Sequence, residues 1–239
     1  MRVTRRRVTV LQHDTVAPLD RFAGWLDGVD IHLVRPFAGE PVPASPGEGL
    51  LVLGGRMNAY DDERAPWLPS TRALIAETVA REVPVLGICL GHQLLAAATG
   101  GEVTVAGPAG REAGLVELSW RPEAATDPVL GPAAAGAARA FQYAMHDDAV
   151  TRLPPGGVPL AASARYPVQA MRVGSAVGVQ FHPEASPARL GRYAERKGIV
   201  DAPAVRAAVS GRFDDDVARV GRAIARAFAA AVRARRPHR

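Results

Sequence analysis

Pro84-Val85-Leu86-Gly87-Ile88-Cys89-Leu90-Gly91-His92-Gln93-Leu94-Leu95-Ala96 is the stretch on which the rest of the chain is organised. Its apolar run, Val85 to Ile88, has the length and character of a buried strand. A lone cysteine between glycines follows, and then a small, Ala/Leu-rich segment of helical character that stops at Gly100-Gly101. The pattern predicts strand, sharp turn, helix, with Cys89 at the turn. A nucleophile at such an elbow is held out of the sheet on strained backbone. Gly87 and Gly91 suit a tight turn in which helix and strand pack closely. The start of the helix places partial positive charge and free N–H groups beside the sulfur.

Outward from this elbow toward the N-terminus, strands and helices alternate. Val8 to Leu11 is predicted as a buried strand, Pro18 to Gly28 as a helix, and Asp30 to Arg35 as a second strand. A Pro/Gly-rich loop over 36–49 precedes Leu50-Leu51-Val52-Leu53, wholly apolar like a central parallel strand. This third strand ends in Gly54-Gly55. After a polar loop from Arg56 to Pro69, Ser70 or Thr71 is placed to cap a helix running to about Arg81. The alternation predicts a doubly wound α/β sheet, whose ligands sit at the carboxyl ends of the strands. Gly54-Gly55 and Cys89 both fall there.

Beyond Gly101 the period changes. Glu102 to Ala106, Gly114 to Trp120, Ala138 to Ala144, Pro159 to Ala164, Gln169 to Val173 and Val177 to Phe181 are predicted as short strands. They make the sheet mixed, though mainly parallel. Ala133 to Ala138 reads as a linker. The last predicted strand runs into His182-Pro183-Glu184, and in extended chain residues two apart share a side. Glu184 is therefore placed to hold the His182 ring, and Cys89, His182 and Glu184 satisfy the logic of nucleophile, base and orienter. His146 is a second candidate base, without so clear a carboxylate partner in its own strand. Residues 191–213 read as helical in pieces. Asp214-Asp215-Asp216 opens a helix with Val217, Val220, Ile224, Ala227, Phe228, Ala231 and Val232 on one face and arginines on the other. The expected organisation is one domain over 1–239, with a core of about 8–190 and a helical C-terminal extension from about 191.

Composition narrows the function. The 239 residues, 48% of them apolar, suffice for a sizeable core. Cys89 is the only cysteine, so no internal disulfide forms, and a free thiol fits the cytoplasm. No apolar run approaches the roughly 20 residues of a membrane span. The net charge of +5 comes almost entirely from arginines, scattered apart from Arg5-Arg6-Arg7 near the basic N-terminus and the arginine-rich last turn of the chain, with Lys197 the only lysine. Scattered charge is not a nucleic-acid footprint, so neither nucleic acid nor membrane is expected as a partner. No cofactor or metal site is read in the chain.

Gly87-Ile88-Cys89-Leu90-Gly91-His92-Gln93 and Gln180-Phe181-His182-Pro183-Glu184 resemble the two signatures of the class I, triad-type glutamine amidotransferases. The resemblance is greatest to stand-alone relatives of the GMP synthase glutaminase domain. Gln12-His13, Gly39-Glu40, Leu53-Gly54-Gly55 with Met57, and Pro66-Trp67-Leu68 support it. It implies the flavodoxin-like fold of that family: a mixed, mainly parallel sheet flanked by helices. It further implies that Cys89 attacks a glutamine side-chain amide, that His182 moves the proton, and that Glu184 orients His182. Backbone N–H groups of Gly55 and Leu90 would hold the oxyanion, and Gln93 would contact the substrate. His146 and Asp148 keep a spacing that relatives use at the substrate. Arg56 stands where the family usually has proline and is a candidate either for binding a substrate carboxylate or for altering the geometry of the oxyanion hole. Because no phosphate-cradling G-x-x-x-x-G-K loop is present, a separate ammonia-accepting synthase subunit is the expected partner. Two rival readings stay open: a free-standing hydrolase of another γ-glutamyl compound, and a non-catalytic binding protein on the same fold.

Overall fold

Strand β1 (Arg6–Leu11) lies between β2 (Val29–Val34) and β3 (Gly49–Val52), parallel to both, in the computed structural model, which describes residues 5–235. The outer parts of the basic N-terminal stretch and of the arginine-rich tail, residues 1–4 and 236–239, lie outside the described residues. Between β1 and β2 the helix α1 spans only Phe22–Trp25. This corrects the expected helix over Pro18 to Gly28. Asp20 takes a positive φ of 43°, and Gly28 one of 76°, so neither end continues a right-handed helix.

Helix α2 (Leu68–Ala80) starts ahead of its expected cap, with Pro69 in its first turn and no side-chain cap at Trp67. Pro fits there because its missing N–H would have no partner. Strand β4 (Val85–Ile88) and helix α3 (Leu90–Ala98) follow, joined at Cys89. Next come β5 (Glu102–Thr104), β6 (Glu112–Trp120), a short α4 (Gly131–Ala134), β7 (Arg139–His146) and β8 (Ala149–Arg152). Helix α4 occupies part of the stretch expected to be a linker, held by the Asp127 carboxylate, which accepts from the Val129 and Leu130 N–H groups. Strand β8 has no counterpart among the expected strands and pairs with β5 in a separate two-stranded sheet. The chain closes with β9 (Val158–Ala162), β10 (Ala170–Val173), β11 (Ala176–Val179), α5 (Pro187–Lys197), α6 (Pro203–Val209) and α7 (Asp214–Ala234).

The main sheet has nine strands in the order β2-β1-β3-β4-β11-β10-β9-β6-β7. Every pairing from β2 to β11 is parallel, and every one from β11 to β7 is antiparallel. Each face of the parallel half is covered by helices. Leu50, Val52 and Val85 pack with Leu68 and Ile75 of α2 and with Leu94 and Leu95 of α3. Leu51, Leu53, Leu86 and Ile88 face the other way, against Ile224, Phe228 and Val232 of α7. The helix read as part of an extension thus packs into the core on one face of the sheet. Its first turn is tied down as well: Asp214 pairs with Arg21 at 2.6 Å and accepts from the Tyr143 hydroxyl at 3.0 Å.

Candidate functional site

Three neighbouring strands, β3, β4 and β11, end side by side. Each leads into a different part of one site: Gly54-Gly55, Cys89, and the His182 turn. The Cys89 N–H donates to the Val179 carbonyl at 2.8 Å, which joins the elbow to the end of β11. Cys89 has φ 52° and ψ −105°, a conformation that costs a non-glycine residue about 1–3 kcal/mol. The flanking glycines make it attainable. A Cβ on Gly91 would run into the Val52 carbonyl oxygen, and one on Gly87 into the Gly91 carbonyl. The helix therefore sits directly on the sheet, with the sulfur at its N-terminus. The Leu90 N–H, first in the helix, has no intrahelical acceptor. The Gly55 N–H likewise donates to no acceptor among the described residues. A side chain at 55 would meet Met57 Sδ at 2.6 Å and Leu90 Cδ2 at 2.9 Å.

His182 Nδ1 lies 2.9 Å from Glu184 Oε1. The expected pair is present, but strand alternation does not make it. β11 ends at Val179, and His182 to Ala185 forms a turn in which the Ala185 N–H donates to the His182 carbonyl. That turn bends Glu184 under the ring. A third group, invisible in the local pattern, completes the arrangement. Arg189 of α5 donates from Nη1 to Glu184 Oε1 at 2.6 Å and from Nε to the Val16 carbonyl at 3.1 Å. All three side chains are almost fully buried. Burial alone would depress His182, but the carboxylate of Glu184 and the sulfur of Cys89 outweigh it and lift its pKa to about 9. Burial would raise Glu184, yet the charges of His182 and Arg189 hold it well below the ordinary carboxylate range.

The edge strand β7 returns to the same place. Its Tyr143 carbonyl accepts from the His182 N–H at 2.7 Å, and its Met145 carbonyl lies 3.9 Å from Cys89 Sγ. His146 is brought nearby but turned away from the sulfur. Its Nδ1 meets the Asp148 carbonyl at 3.0 Å, and its Nε2 meets Glu112 Oε2 at 3.0 Å. Its carboxylate partner thus exists, directly across the β6–β7 pairing rather than along its own strand. Glu112 also accepts from Ser163 and Gln169. With both ring nitrogens occupied, His146 has none to offer as a base or to a substrate. Gln93 Nε2 donates to Gln180 Oε1 at 3.1 Å and to the Asp148 carbonyl at 3.2 Å, tying α3 to the loop after β7. Arg56 is 59% exposed at its side chain and pairs with the buried Asp14 through Nε at 2.7 Å and Nη2 at 3.1 Å. Its guanidinium is partly committed to the protein, and the pairing keeps Asp14 ionised to lower pH than an ordinary aspartate.

A cavity of about 230 Å³ opens at Cys89, and its lining includes Gln93, Asp148, Arg56, Asn58, Asp61 and Arg64. Among the described residues no group of three or more His, Cys, Asp or Glu side chains is arranged to hold a metal ion. No described helix is long and apolar enough to cross a membrane.

The sequence pattern of the family described as Glutamine amidotransferase class-I matches residues 28–202, which include the strand ends carrying Gly55, Cys89 and His182. The chain belongs to that family. Among its curated relatives, a GMP synthase [glutamine-hydrolyzing] subunit from Methanosarcina mazei is 35% identical over 186 residues, which is 76% of this chain and 84% of that one. The GMP synthase [glutamine-hydrolyzing] of Thermomicrobium roseum is 36% identical over 155 residues, 64% of this chain, and the match spans only 26% of that enzyme. Of solved structures, a glutamine amido transferase from Methylobacillus flagellatus superposes with a TM-score of 0.82 at 27% identity, over 98% of each chain. A glutamine amidotransferase from Thermotoga maritima gives 0.79 at 25% identity, over 94% of this chain and 98% of that one.

Proposed function

We propose that this amidotransferase hydrolyses the side-chain amide of glutamine through a γ-glutamyl thioester on Cys89 and passes the ammonia to a separate synthase chain. The observation that carries the reading is the single strained cysteine at the helix start, with a buried His182–Glu184 pair beside it. The Cys89 sulfur attacks the amide carbon, and the carbonyl oxygen becomes an oxyanion that accepts from the Gly55 and Leu90 N–H groups. Protonated His182 gives its proton to the nitrogen as the C–N bond breaks, and ammonia leaves. Water then attacks the thioester while His182 takes a proton from it, and glutamate departs as the C–S bond opens. Glu184 keeps the ring oriented and stabilises its charged form, the role of the carboxylate in such triads.

The cavity lined by Gln93, Asp148, Arg56 and Arg64 offers groups of both signs, which suits the zwitterionic end of an amino acid. Arg56 contributes whatever donor capacity Asp14 leaves free, and Gln93 lines the same space. The Methanosarcina relative, named as one subunit of its synthase, supports an acceptor on another chain, and the lone free thiol supports a cytoplasmic setting. The test is release of glutamate and ammonia from glutamine by the purified chain, with Cys89→Ala as control. Cys89-dependent release in equal amounts is expected. A Cys89→Ala protein as active as the parent would remove the proposal.

A further inference from the structure

Two cavities, not one, meet at Cys89. They share Gly55, Arg56, Met145 and Tyr193 but differ in what lies beyond. The first is the polar one lined by Gln93 and Asp148. The second is walled by Val16, Ala17, Ala185 and Leu190, with Arg189 and His182 in its lining. Of the two, His182 lines only the second. In amide hydrolysis the acid must face the departing nitrogen. If the acyl half occupies the polar cavity, as the glutaminase reading requires, the leaving group departs into the apolar one.

That cavity is larger than ammonia needs. Its volume of about 50 Å³ is several times the roughly 10–15 Å³ that one water-sized molecule requires. Its walls are aliphatic, while ammonia is polar. It also borders a further cavity of about 90 Å³, with which it shares Val16, Arg189 and Tyr193, and which adds Arg192 and Arg196. Arg189 is spoken for by Glu184 and the Val16 carbonyl. Arg192 and Arg196 are exposed, four residues apart on α5, and neither is ion-paired with a carboxylate of the described residues. Two like charges at that spacing cost a helix a few tenths of a kcal/mol, roughly 0.2–0.5. A ligand leaving Cys89 past His182 thus meets first an aliphatic stem site and then a site for an anion.

We propose that this enzyme also hydrolyses γ-glutamyl amides whose amine carries a short aliphatic stem ending in a carboxylate. The proposal rests on the glutaminase reading for the acyl half and adds the leaving-group half. The chemistry balances without any further reactant. The C–N bond breaks as the S–C bond forms, and the departing nitrogen takes the His182 proton. Water then opens the thioester, yielding glutamate and a free ω-amino acid.

The experiment supplies the purified chain with glutamine, γ-glutamyl ethylamide, γ-glutamyl ω-aminoalkanoates of two to five carbons, and a γ-glutamyl diamine. Glutamate and free amine are measured for the parent, Cys89→Ala, Leu190→Trp, Val16→Phe and the double variant Arg192→Glu/Arg196→Glu. At least one aminoalkanoate amide is expected to have a kcat/KM within about tenfold of glutamine and at least about tenfold above the diamine amide. Leu190→Trp and Val16→Phe, which fill the stem site, are expected to lower turnover of that amide at least about tenfold more than turnover of glutamine, whose leaving ammonia needs less of the space. The double variant is expected to abolish the preference for the anionic amine. Turnover of glutamine with none of the amides overturns the inference and leaves the glutaminase reading standing. Equal turnover of anionic and cationic amides overturns it too. If nothing is turned over, a glutamine-derived diazoketone decides what else falls. Labelling of Cys89 then spares the glutaminase reading alone, and absence of labelling removes both.

Discussion

Two buried histidine–glutamate pairs lie within one site, and only one of them faces the sulfur. His182 and Glu184 sit at the ends of the parallel strands, joined by a turn, with Arg189 closing the carboxylate from behind. His146 and Glu112 face each other across the antiparallel β6–β7 pairing, with Ser163 and Gln169 also on the carboxylate. The distances within the pairs are nearly the same, 2.9 Å and 3.0 Å. The difference is in the second nitrogen. That of His182 is directed to the cavity beside Cys89, whereas that of His146 is taken up by the Asp148 carbonyl. A carboxylate partner orients a histidine, and a free nitrogen toward a nucleophile is what makes it a base.

The comparison breaks first on activity. His182→Asn is expected to lower kcat for glutamine by about 10⁴-fold, the scale on which triads fail when the base or its tautomer is lost. His146→Asn is expected to act mainly through KM, with kcat within about tenfold, because it loosens the loop at Asp148 without touching the proton path. Equal losses of kcat from both would end the distinction. A smaller contrast is expected at the carboxylates. Glu184→Gln should cost kcat about 10²–10³-fold, and Glu112→Gln less than about tenfold, measured at one pH with folding checked by circular dichroism.

Arg189 sharpens the first pair. Arg189→Met removes a positive charge that competes with His182 for Glu184, and leaves part of that carboxylate without a partner. The expected result is a fall in kcat of about tenfold with an upward shift of the alkaline limb of the kcat–pH profile. Arg189→Lys is expected to restore part of the rate. A variant that loses stability but keeps both kcat and profile would assign Arg189 to packing alone.

Stability against pH separates the buried histidines as well. His182 has a folded pKa raised to about 9, so its contribution is complete below the ordinary histidine value of 6.5 and is lost as pH rises through about 9. His13 and His92 are buried with pKa values lowered by desolvation to about 4 and about 3. Their contribution is complete above 6.5 and is lost as pH falls toward those values, by up to about 1.4 kcal/mol per pH unit for each. Unfolding by urea should therefore show a stability maximum near pH 6.5. His182→Asn should flatten the alkaline side, and a His92→Leu variant the acid side.

How much of the molecule is legible in the sequence depends on how local each cause is. The elbow is readable because Gly87, Cys89 and Gly91 exclude one another's alternatives within five residues. The parallel half is readable because wholly apolar strands of four residues leave few other choices. Glu184 falls beside His182 as expected, though for a different reason: the contact comes from a turn, which Pro183 does not announce. Arg189 and Glu112 escape because their partners lie on other elements, and nothing around either residue marks it as buried. Strand β8 escapes because Ala149 to Arg152 is short and half exposed, and is held only by β5. Helix α1 is overextended in the sequence reading because its apolar spacing persists through Asp20 and on toward Gly28, where the backbone turns to positive φ.

The most direct test of the account uses the fact that Cys89 is the only cysteine, so every thiol alkylation reports on it. The rate of Cys89 carboxamidomethylation at neutral pH should be measured in the parent protein, His182→Asn and His146→Asn. A fall of at least about tenfold is expected in His182→Asn and a change of less than about threefold in His146→Asn, since thiolate reactivity follows the neighbouring cation. A rate that survives the loss of His182 and collapses with the loss of His146 would contradict it.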